Sequence, residues 1–288
     1  MSGSYYLDGN LATTGDCIKI TSGGSGSTLD CKGYNITGTN FNGVGINLTG
    51  TYGVTVKNCV LSYFARGIYL KSSNNNAITG NDVTTNQQIG IYVLSSGENN
   101  LTSNIANNDG QAGILLDSAN DNILTNNTAN SNNLGGISLA TSNNNNLTGN
   151  LVNANEQMGI TLYSSSENHF TGNTAIWNTQ DGFYIINSNN NWFTNNNASS
   201  NTIMGFYVGA SNGNSFEGND IHSNKQDGIY VGASSTNLHI DNNNIAGSHK
   251  WDIECEDVGI VWRSGNTCST AGKMCSGCPD TCTINACN

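Results

Sequence analysis

The sequence predicts an all-β fold, a parallel β-solenoid of about ten coils followed by a cysteine-rich C-terminal tail. Three observations predict it: a Gly followed by an apolar residue returns every 23 residues, apolar and more polar residues alternate after that Gly, and two columns of Asn stand at fixed offsets from it. A 23-residue unit is short for a strand–helix–strand crossover and shows no helical period. Each unit is therefore predicted to be one coil, stacked about 4.8 Å from the next.

The repeated Gly marks the start of a short strand in each coil. Positions one and three residues after it hold Ile, Leu, Val or Phe, which is the pattern of a strand with one buried face. Gly45 stands 22 residues before the first regular member, so the array begins no later than there. The regular members are Gly67, Gly90, Gly113, Gly136, Gly159, Gly182, Gly205 and Gly228.

Two columns contain Asn without exception, and we interpret them as structural ladders at the corners of the coils. Asn tolerates left-handed backbone angles, and its amide can bond to the same amide in the coils above and below. A looser polar column, which includes Asn86 and Asp109, follows them. The first column, nine residues after the Gly, contains Asn76, Asn99, Asn122, Asn145, Asn168, Asn191, Asn214 and Asn237; the second, fourteen residues after it, contains Asn81, Asn104, Asn127, Asn150, Asn173, Asn196, Asn219 and Asn242.

The segments Gly113–Leu116 and Asn122–Asn127 carry a resemblance to a known family. They resemble the repeats of the pectate-lyase-like superfamily, and more closely those of its carbohydrate-binding and sugar-hydrolase, NosD-like branch. The resemblance implies a single-stranded right-handed parallel β-helix. It implies no single activity, because that architecture is shared by lyases, hydrolases, epimerases and non-catalytic surface proteins.

The chain is predicted to have three parts. Residues 1–44 form N-terminal capping coils with irregular spacing, and residues 45–253 form the regular β-helix. The periodic register slips near His239, and residues 254–288 have few apolar side chains, so they are predicted to form a disulfide-rich C-terminal cap.

Nine cysteines lie towards the two ends of the chain and leave the middle of the array free. Disulfides that close the ends of the solenoid explain this distribution, and our preferred pair is Cys17 with Cys31. The tail could instead hold half of a zinc site at Cys275 and Cys278, but it contains no His and lacks paired metal-knuckle spacing. An odd total leaves one thiol over. The predicted disulfide cysteines are Cys17, Cys31, Cys255, Cys268, Cys275, Cys278, Cys282 and Cys287.

Net charge and composition limit the classes of molecule that this chain is expected to bind. A net charge of −11 with nine basic residues argues against nucleic acid and anionic membrane surfaces, and no stretch resembles a membrane span. The cysteines favour a secreted or cell-surface protein. We expect no metal site and no cofactor; calcium is compatible with the superfamily, but nothing in the sequence indicates it.

Tyrosines recur at the outward position two residues after the Gly. Exposed aromatic side chains in a row can contact sugar rings, so we consider them candidates for glycan binding. The alternative is that they stack on one another and stiffen the sheet. The candidates are Tyr69, Tyr92, Tyr184, Tyr207 and Tyr230.

Asp181 and Asp227 occupy the position before the Gly, two coils apart, and are the candidate catalytic residues. Two coils correspond to roughly 9.6 Å along the axis, near the upper end of the range for an inverting glycosidase pair. Asp-Gly is also a common turn pair. The catalytic signatures of polygalacturonase-like and epimerase-like members of the superfamily are missing from the sequence.

Three functional hypotheses follow. The first is a structural, adhesive or assembly protein at or outside the cell surface that binds glycan along the tyrosine face. The alternative is a polysaccharide lyase or glycoside hydrolase that uses the same face. A third, end-to-end self-association, follows from the exposed edges at the ends of a solenoid.

Overall fold

Short β-strands form most of the regular structure in the computed structural model, which describes residues 2–256, 261–268 and 275–276. The strands are parallel and two to six residues long, and one 3₁₀ turn spans Ser22–Gly24. The predicted all-β parallel solenoid is confirmed. Contacts divide the chain into two units, Met1–Leu151 and Val152–Asn288. Within the described residues, no helix has the length and apolar character needed to cross a membrane.

The first unit contains three parallel sheets; the first four coils contribute a strand to each, and the later coils contribute strands to sheets 1 and 3. Sheet 1 contains β1 (Ser4–Tyr6), β4 (Thr28–Asp30), β7 (Thr55–Lys57), β10 (Ala77–Thr79), β13 (Asn100–Thr102), β15 (Ile123–Thr125) and β17 (Asn146–Thr148). Sheet 2 contains β2 (Leu11–Thr13), β5 (Asn35–Gly38), β8 (Val60–Ser62) and β11 (Asp82–Val83). Sheet 3 contains β3 (Ile18–Thr21), β6 (Val44–Thr49), β9 (Arg66–Lys71), β12 (Ile89–Leu94), β14 (Ala112–Asp117) and β16 (Gly135–Ala140).

Equivalent residues of successive coils are paired in sheet 3 of this unit. Ile91 pairs with Ile68 on one side and with Ile114 on the other, and all three side chains are fully buried. The repeated Gly allows this close stacking, because a Cβ at Gly90 would lie 2.7 Å from the carbonyl oxygen of Gly113. The predicted strand position and its inward face are therefore confirmed.

The second unit also contains three parallel sheets. Sheet 1 contains β19 (His169–Thr171), β21 (Trp192–Thr194), β23 (Ser215–Glu217), β26 (Leu238–Asp241) and β29 (Val261–Ser264). Sheet 2 contains β24 (Asp220–His222), β27 (Asn244–Ala246) and β30 (Thr267–Cys268). Sheet 3 contains β18 (Met158–Tyr163), β20 (Phe183–Ile186), β22 (Phe206–Gly209), β25 (Ile229–Val231), β28 (Ile253–Cys255) and β31 (Cys275–Ser276).

Phenylalanines fill the interior of the second unit. Phe193 stacks between Phe170 and Phe216, with ring centroids 4.9 and 5.0 Å away, and it meets Phe183 and Phe206 edge to face. All five rings are fully buried. Stacked and edge-to-face rings add to the free energy gained by burying their apolar area.

Buried asparagine ladders hold the corners of the coils, as predicted. Asn127 Oδ1 accepts hydrogen bonds from the backbone N–H and the side-chain Nδ2 of Asn104, at 2.9 and 3.0 Å. Asn104 Nδ2 also donates to the carbonyl oxygen of Ile78 at 2.8 Å. Each amide thus satisfies backbone groups at a corner where strand pairing is interrupted, which is required of buried polar groups.

One extra residue interrupts the 23-residue spacing in the second unit, and it corrects the predicted end of the asparagine column. Asn219 Nδ2 donates to Asn243 Oδ1 at 2.9 Å, 24 residues along the chain, so Asn243 continues the ladder in place of Asn242. Leu238, rather than Asn237, is the fully buried residue that begins β26. Strand pairing also continues beyond residue 253, because Ile253 pairs with Cys275. The boundaries of the C-terminal cap stay a prediction.

The predicted disulfide between Cys17 and Cys31 is wrong. Cys31 is bonded to Cys59, with Cα atoms 4.7 Å apart, and Cys17 is a free thiol. Asp30 pairs with Lys57 in adjacent strands, so the following corners bring Cys31 and Cys59 together one coil apart, whereas Cys17 precedes β3 in another sheet. Cys255 and Cys268 are each disulfide-bonded. Cys278, Cys282 and Cys287 lie outside the described residues, as does the side chain of Cys275.

Candidate functional site

Three tyrosines form a row on the outer face of sheet 3 in the second unit. Tyr184 in β20 pairs with Tyr207 in β22, which pairs with Tyr230 in β25. On either side of Tyr184, Phe183 and Ile185 are fully buried, so the alternation of the strand turns the tyrosine outward. All three tyrosines are partly exposed. We call Tyr184, Tyr207 and Tyr230 the tyrosine row.

The rings of the tyrosine row stack on one another. The centroid distances are 4.7 Å between Tyr184 and Tyr207 and 5.4 Å between Tyr207 and Tyr230, with interplanar angles of 12° and 16°. Tyr207 lies over Gly209, where an added Cβ would come within 2.9 Å of its ring. Because neighbouring rings cover one another, the row presents mainly ring edges and hydroxyl groups to solvent. This stacking is the structural alternative that the sequence left open, and it leaves glycan contact untested.

Two aspartates lie beside the row, and both are buried. Asp181 is 4% exposed, and its Oδ1 accepts a hydrogen bond from the backbone N–H of Met204 in the next coil at 3.0 Å. Asp227 is fully buried, and its Oδ1 accepts from the backbone N–H of Trp251 at 3.0 Å. The two candidate catalytic carboxyls therefore occupy the same kind of position, each bonded to the backbone one coil further on.

Burial raises the pKa of both aspartates to about 6. At Asp181 the hydrogen bond from Met204 opposes this shift. At Asp227 the neighbouring Glu254 raises the pKa further, and the positive charge of Lys250 lowers it. Carboxyls with such pKa values can act as acids or bases near neutral pH, although acid–base catalysis also needs contact with the substrate.

An ionic cluster borders the Tyr230 end of the row. Lys250 Nζ lies 3.7 Å from Asp227 Oδ2 and forms an ion pair with Glu254, whose backbone pairs with that of Tyr230. The pKa of Tyr230 is raised above its ordinary value by burial and then by a hydrogen bond to Glu256. Sequence reasoning missed Lys250, Glu254 and Glu256, because the extra residue in the preceding coil moves them out of the 23-residue register.

The first unit carries a different tyrosine pair, at the equivalent outward position of its sheet 3. The rings of Tyr69 and Tyr92 are 5.2 Å apart and tilted by 30°. The Arg66 guanidinium lies over both rings, 5.1 and 5.2 Å from their centroids. Tyr92 Oη donates to Asp117 Oδ2 at 2.9 Å, and burial together with this bond raises the pKa of Tyr92 to about 12.

Two histidines lie away from the tyrosine row. His169 stacks on Trp192, with ring centroids 4.3 Å apart, on sheet 1. His222 lies on sheet 2 with its Nε2 3.6 Å from Asp220 Oδ2. Neither histidine belongs to sheet 3, whose strands β20 and β25 begin just after Asp181 and Asp227.

Comparison with known families identifies the repeat. A family model described as right handed beta helix region matches residues 16–175, more than half of the chain. The chain belongs to the right-handed β-helix family. A second family model, described as periplasmic copper-binding protein (NosD), matches residues 128–277, which confirms the predicted NosD-like branch. No curated protein matches the sequence of this β-helix.

Several solved structures share the fold of this β-helix. The A-modules of the mannuronan C-5 epimerases AlgE6 and AlgE4 of Azotobacter vinelandii give TM-scores of 0.76 and 0.70 at 17% and 14% identity. The matches cover 96% of this chain in both cases, and 90% and 91% of the epimerase chains. The catalytic domain of a GH87 α-1,3-glucanase gives a TM-score of 0.57 at 13% identity, covering 95% of this chain and 63% of that one. At these identities the likeness shows the fold.

The description of the second family names copper, and the described residues of this β-helix show no cluster that fits a copper centre. Copper sites use His, Cys and Met ligands gathered at one point. Across residues 2–256 and the shorter described stretches, no group of three or more His, Cys, Asp or Glu side chains could hold a metal ion.

Proposed function

We propose that this β-helix is a structural or adhesive protein that binds polysaccharide along the tyrosine row, outside the cytoplasm. The observation that carries the proposal is the row itself: three partly exposed tyrosines, one per coil, with ring centroids 4.7 and 5.4 Å apart. An extended chain of β-linked hexoses advances by a similar distance per sugar. One sugar residue could therefore contact one coil, and the contact would repeat along the sheet.

The contact would combine hydrogen bonds with apolar packing. Each tyrosine hydroxyl can donate and accept a hydrogen bond, and the ring edges offer apolar surface. Single contacts of this kind are weak, but several on one rigid sheet raise the overall affinity because the second and third contacts become intramolecular. The stacking of the rings supports this role, since side chains that are already ordered lose little entropy on binding.

Two further observations support the proposal. The solved structures with this fold include mannuronan epimerases and a glucanase, which are proteins that act on polysaccharides. The buried disulfide between Cys31 and Cys59, together with bonded Cys255 and Cys268, is typical of an oxidising compartment. The NosD family and the alginate epimerase AlgG, another solved structure with this fold, are both described as periplasmic, which agrees with a location outside the cytoplasm.

Binding without turnover agrees with the burial of the two candidate catalytic carboxyls. Asp181 and Asp227 are almost fully buried, and each has one carboxylate oxygen committed to a backbone N–H. A polysaccharide lying on the tyrosine row would meet the hydroxyl groups before it reached either carboxyl.

Catalysis is the second candidate function, as a polysaccharide lyase or glycoside hydrolase. The observation that favours it is that two carboxyls with a pKa of about 6 lie beside the row. The enzymatic activities named for the solved structures with this fold agree with it. End-to-end self-association remains a separate prediction, which sedimentation at high protein concentration would test.

Retention on immobilised polysaccharides tests the binding proposal, with product analysis by mass spectrometry in the same samples. Tyr207→Ala should abolish retention, because it removes the central ring of the row. Tyr52→Ala is the matched control, since Tyr52 is an exposed tyrosine (59%) outside the row. Equal retention of the Tyr207→Ala variant and the unaltered protein would refute the proposal. New chain ends that disappear in Asp227→Asn would establish the catalytic alternative.

A further inference from the structure

We propose that the tyrosine row selects polysaccharides without carboxylate groups and discriminates against polyuronates. The inference rests on the proposed function and names the ligand class of the same surface. It differs from what the solved structures would suggest, since two of them are named for epimerases of mannuronan, a polyuronate.

Negative charge is concentrated in the unit that carries the row. Residues 152–288 contain twelve acidic and four basic side chains, a net charge of −8 out of −11 for the whole chain. Glu254 continues the outward column directly after Tyr230, with which it is paired in register. Glu256 is hydrogen-bonded to Tyr230 and exposed to solvent. A ligand on the row would therefore meet two carboxylates at its Tyr230 end.

The basic side chain beside the row is already neutralised. Lys250 is ion-paired with Glu254 and lies 3.7 Å from Asp227 Oδ2. Asp227 is fully buried, so its carboxylate depends on Lys250 for charge compensation. Lys225 lies in the loop before β25 and is the other lysine of this unit with a described side chain. Lys250 is thus shared between Asp227 and Glu254, so the described side chains at the Tyr230 end leave a net negative charge to meet a carboxylate on the ligand.

The tyrosine pair of the first unit shows what the row lacks. There Arg66 lies over both Tyr69 and Tyr92, so a positive charge accompanies the aromatic rings. The same fold position therefore carries an aromatic pair with a cation in one unit and an aromatic row with carboxylates in the other. Binding by the row must be distinguished from any binding at Arg66. The retention that is lost in Tyr207→Ala, here called Tyr207-dependent retention, measures binding by the row alone.

The test compares alginate with the same alginate after chemical reduction of its carboxyl groups. The two polymers have the same linkages, so a difference in their Tyr207-dependent retention reports the carboxylates alone. Two ligand–protein carboxylate contacts at roughly 6–8 Å in water predict at least about fivefold tighter retention of the reduced polymer at low salt. Salt near 1 M should reduce the ratio to about one, because the screening length is then about 3 Å.

Two charge-matched variants locate the effect. Glu256→Gln should lower the ratio by about twofold or more, whereas Glu217→Gln, which removes an exposed charge on sheet 1, should leave the ratio unchanged. Equal or tighter Tyr207-dependent retention of unreduced alginate at low salt would overturn the inference and leave the binding proposal intact. If Tyr207→Ala changes the retention of neither polymer, and neutral glucans likewise show no Tyr207 dependence, the proposed function itself fails.

Discussion

Replacing Asp109 by Asn should stabilise the protein near neutral pH. Asp109 is fully buried in a column whose neighbours one coil away on either side are Asn86 and Asn132. Its Oδ1 accepts hydrogen bonds from the N–H and Nδ2 of Asn86, at 2.7 and 3.0 Å. Its Oδ2 has no hydrogen-bond partner, whereas the Nδ2 of Asn132 donates to the carbonyl oxygen of Ala106 at 3.1 Å. Asp109 thus places an oxygen where the ladder needs a donor.

The direction of the pH dependence follows from the proton at Asp109. Burial raises the pKa of this carboxyl from 3.8 to about 8, the hydrogen bonds from Asn86 oppose the shift, and the charge of Asp82 adds to it. In the unfolded chain the group loses its proton near pH 4, while in the folded protein it keeps the proton until about pH 8. The folded state therefore binds more protons across this window, and stability falls as pH rises through it.

The size of the destabilisation depends on how far the working pH lies above the pKa of Asp109 in the unfolded chain. Each pH unit above 3.8 costs about 1.4 kcal/mol until the folded pKa is reached. At pH 7 this gives an upper estimate of about 4 kcal/mol, and at pH 4 less than about 1 kcal/mol. Asp109→Asn removes the titration and restores a donor, which adds about 1 kcal/mol at either pH.

Urea denaturation at pH 4.5, 6 and 7.5, followed by circular dichroism, measures the difference between the variant and the unaltered protein. Asp121→Asn is the control, because Asp121 is exposed. We expect the advantage of Asp109→Asn to grow by about 1.4 kcal/mol per pH unit, and we expect Asp121→Asn to show no comparable slope. An advantage that is independent of pH would refute the reasoning. So would a lower stability of Asp109→Asn at pH 7.5.

Three further predictions concern the core and the cysteines. Phe193→Ala should lower the free energy of unfolding by about 3–5 kcal/mol, because it opens a cavity between four other rings. Trp192→Ala, at the neighbouring outward position, should lower it much less. Equal losses of the two variants in urea denaturation would contradict the inward and outward faces assigned to these residues. Replacing Cys31 and Cys59 together by Ser should cost about 3–4 kcal/mol, as expected for a disulfide that closes 28 residues. In the unreduced protein, iodoacetamide should modify Cys17. The pH dependence of this reaction should give a pKa above the ordinary thiol value, because burial raises the pKa of Cys17. Mass spectrometry that found Cys17 bonded to Cys31 would contradict the pairing.

The fold was predictable because a solenoid repeats its constraints. Ile91 pairs with its equivalents Ile68 and Ile114 in the neighbouring coils. An apolar side chain that faces the interior therefore recurs at the same offset in each coil, and the sequence shows this column as a repeat. The asparagine corners follow for the same reason. The stacking of His169 on Trp192 could be predicted because both residues share one offset in the repeat.

Departures from the period were not predictable in the same way. The partner of Cys31 depends on which residues stack in coils of irregular length, and that register is set by pairing such as Asp30 with Lys57. The ionic cluster was missed because one inserted residue shifts Lys250 and Glu254 out of the columns. The tyrosine row was visible as a column, but whether its rings face solvent or one another depends on side-chain rotamers.

The buried carboxyls of this protein show why a raised pKa is weak support for catalysis in a solenoid. Asp109, Asp181 and Asp227 each accept a hydrogen bond from a backbone N–H of a neighbouring coil. That is the same role that Asn side chains perform in the ladders, for example Asn127 toward the N–H of Asn104. An aspartate at such a site satisfies the backbone as an asparagine does, and burial then raises its pKa whether or not a substrate ever approaches it. Chemistry on this scaffold is therefore better sought at outward positions, where a side chain is free of the ladder, than among the groups with the largest pKa shifts.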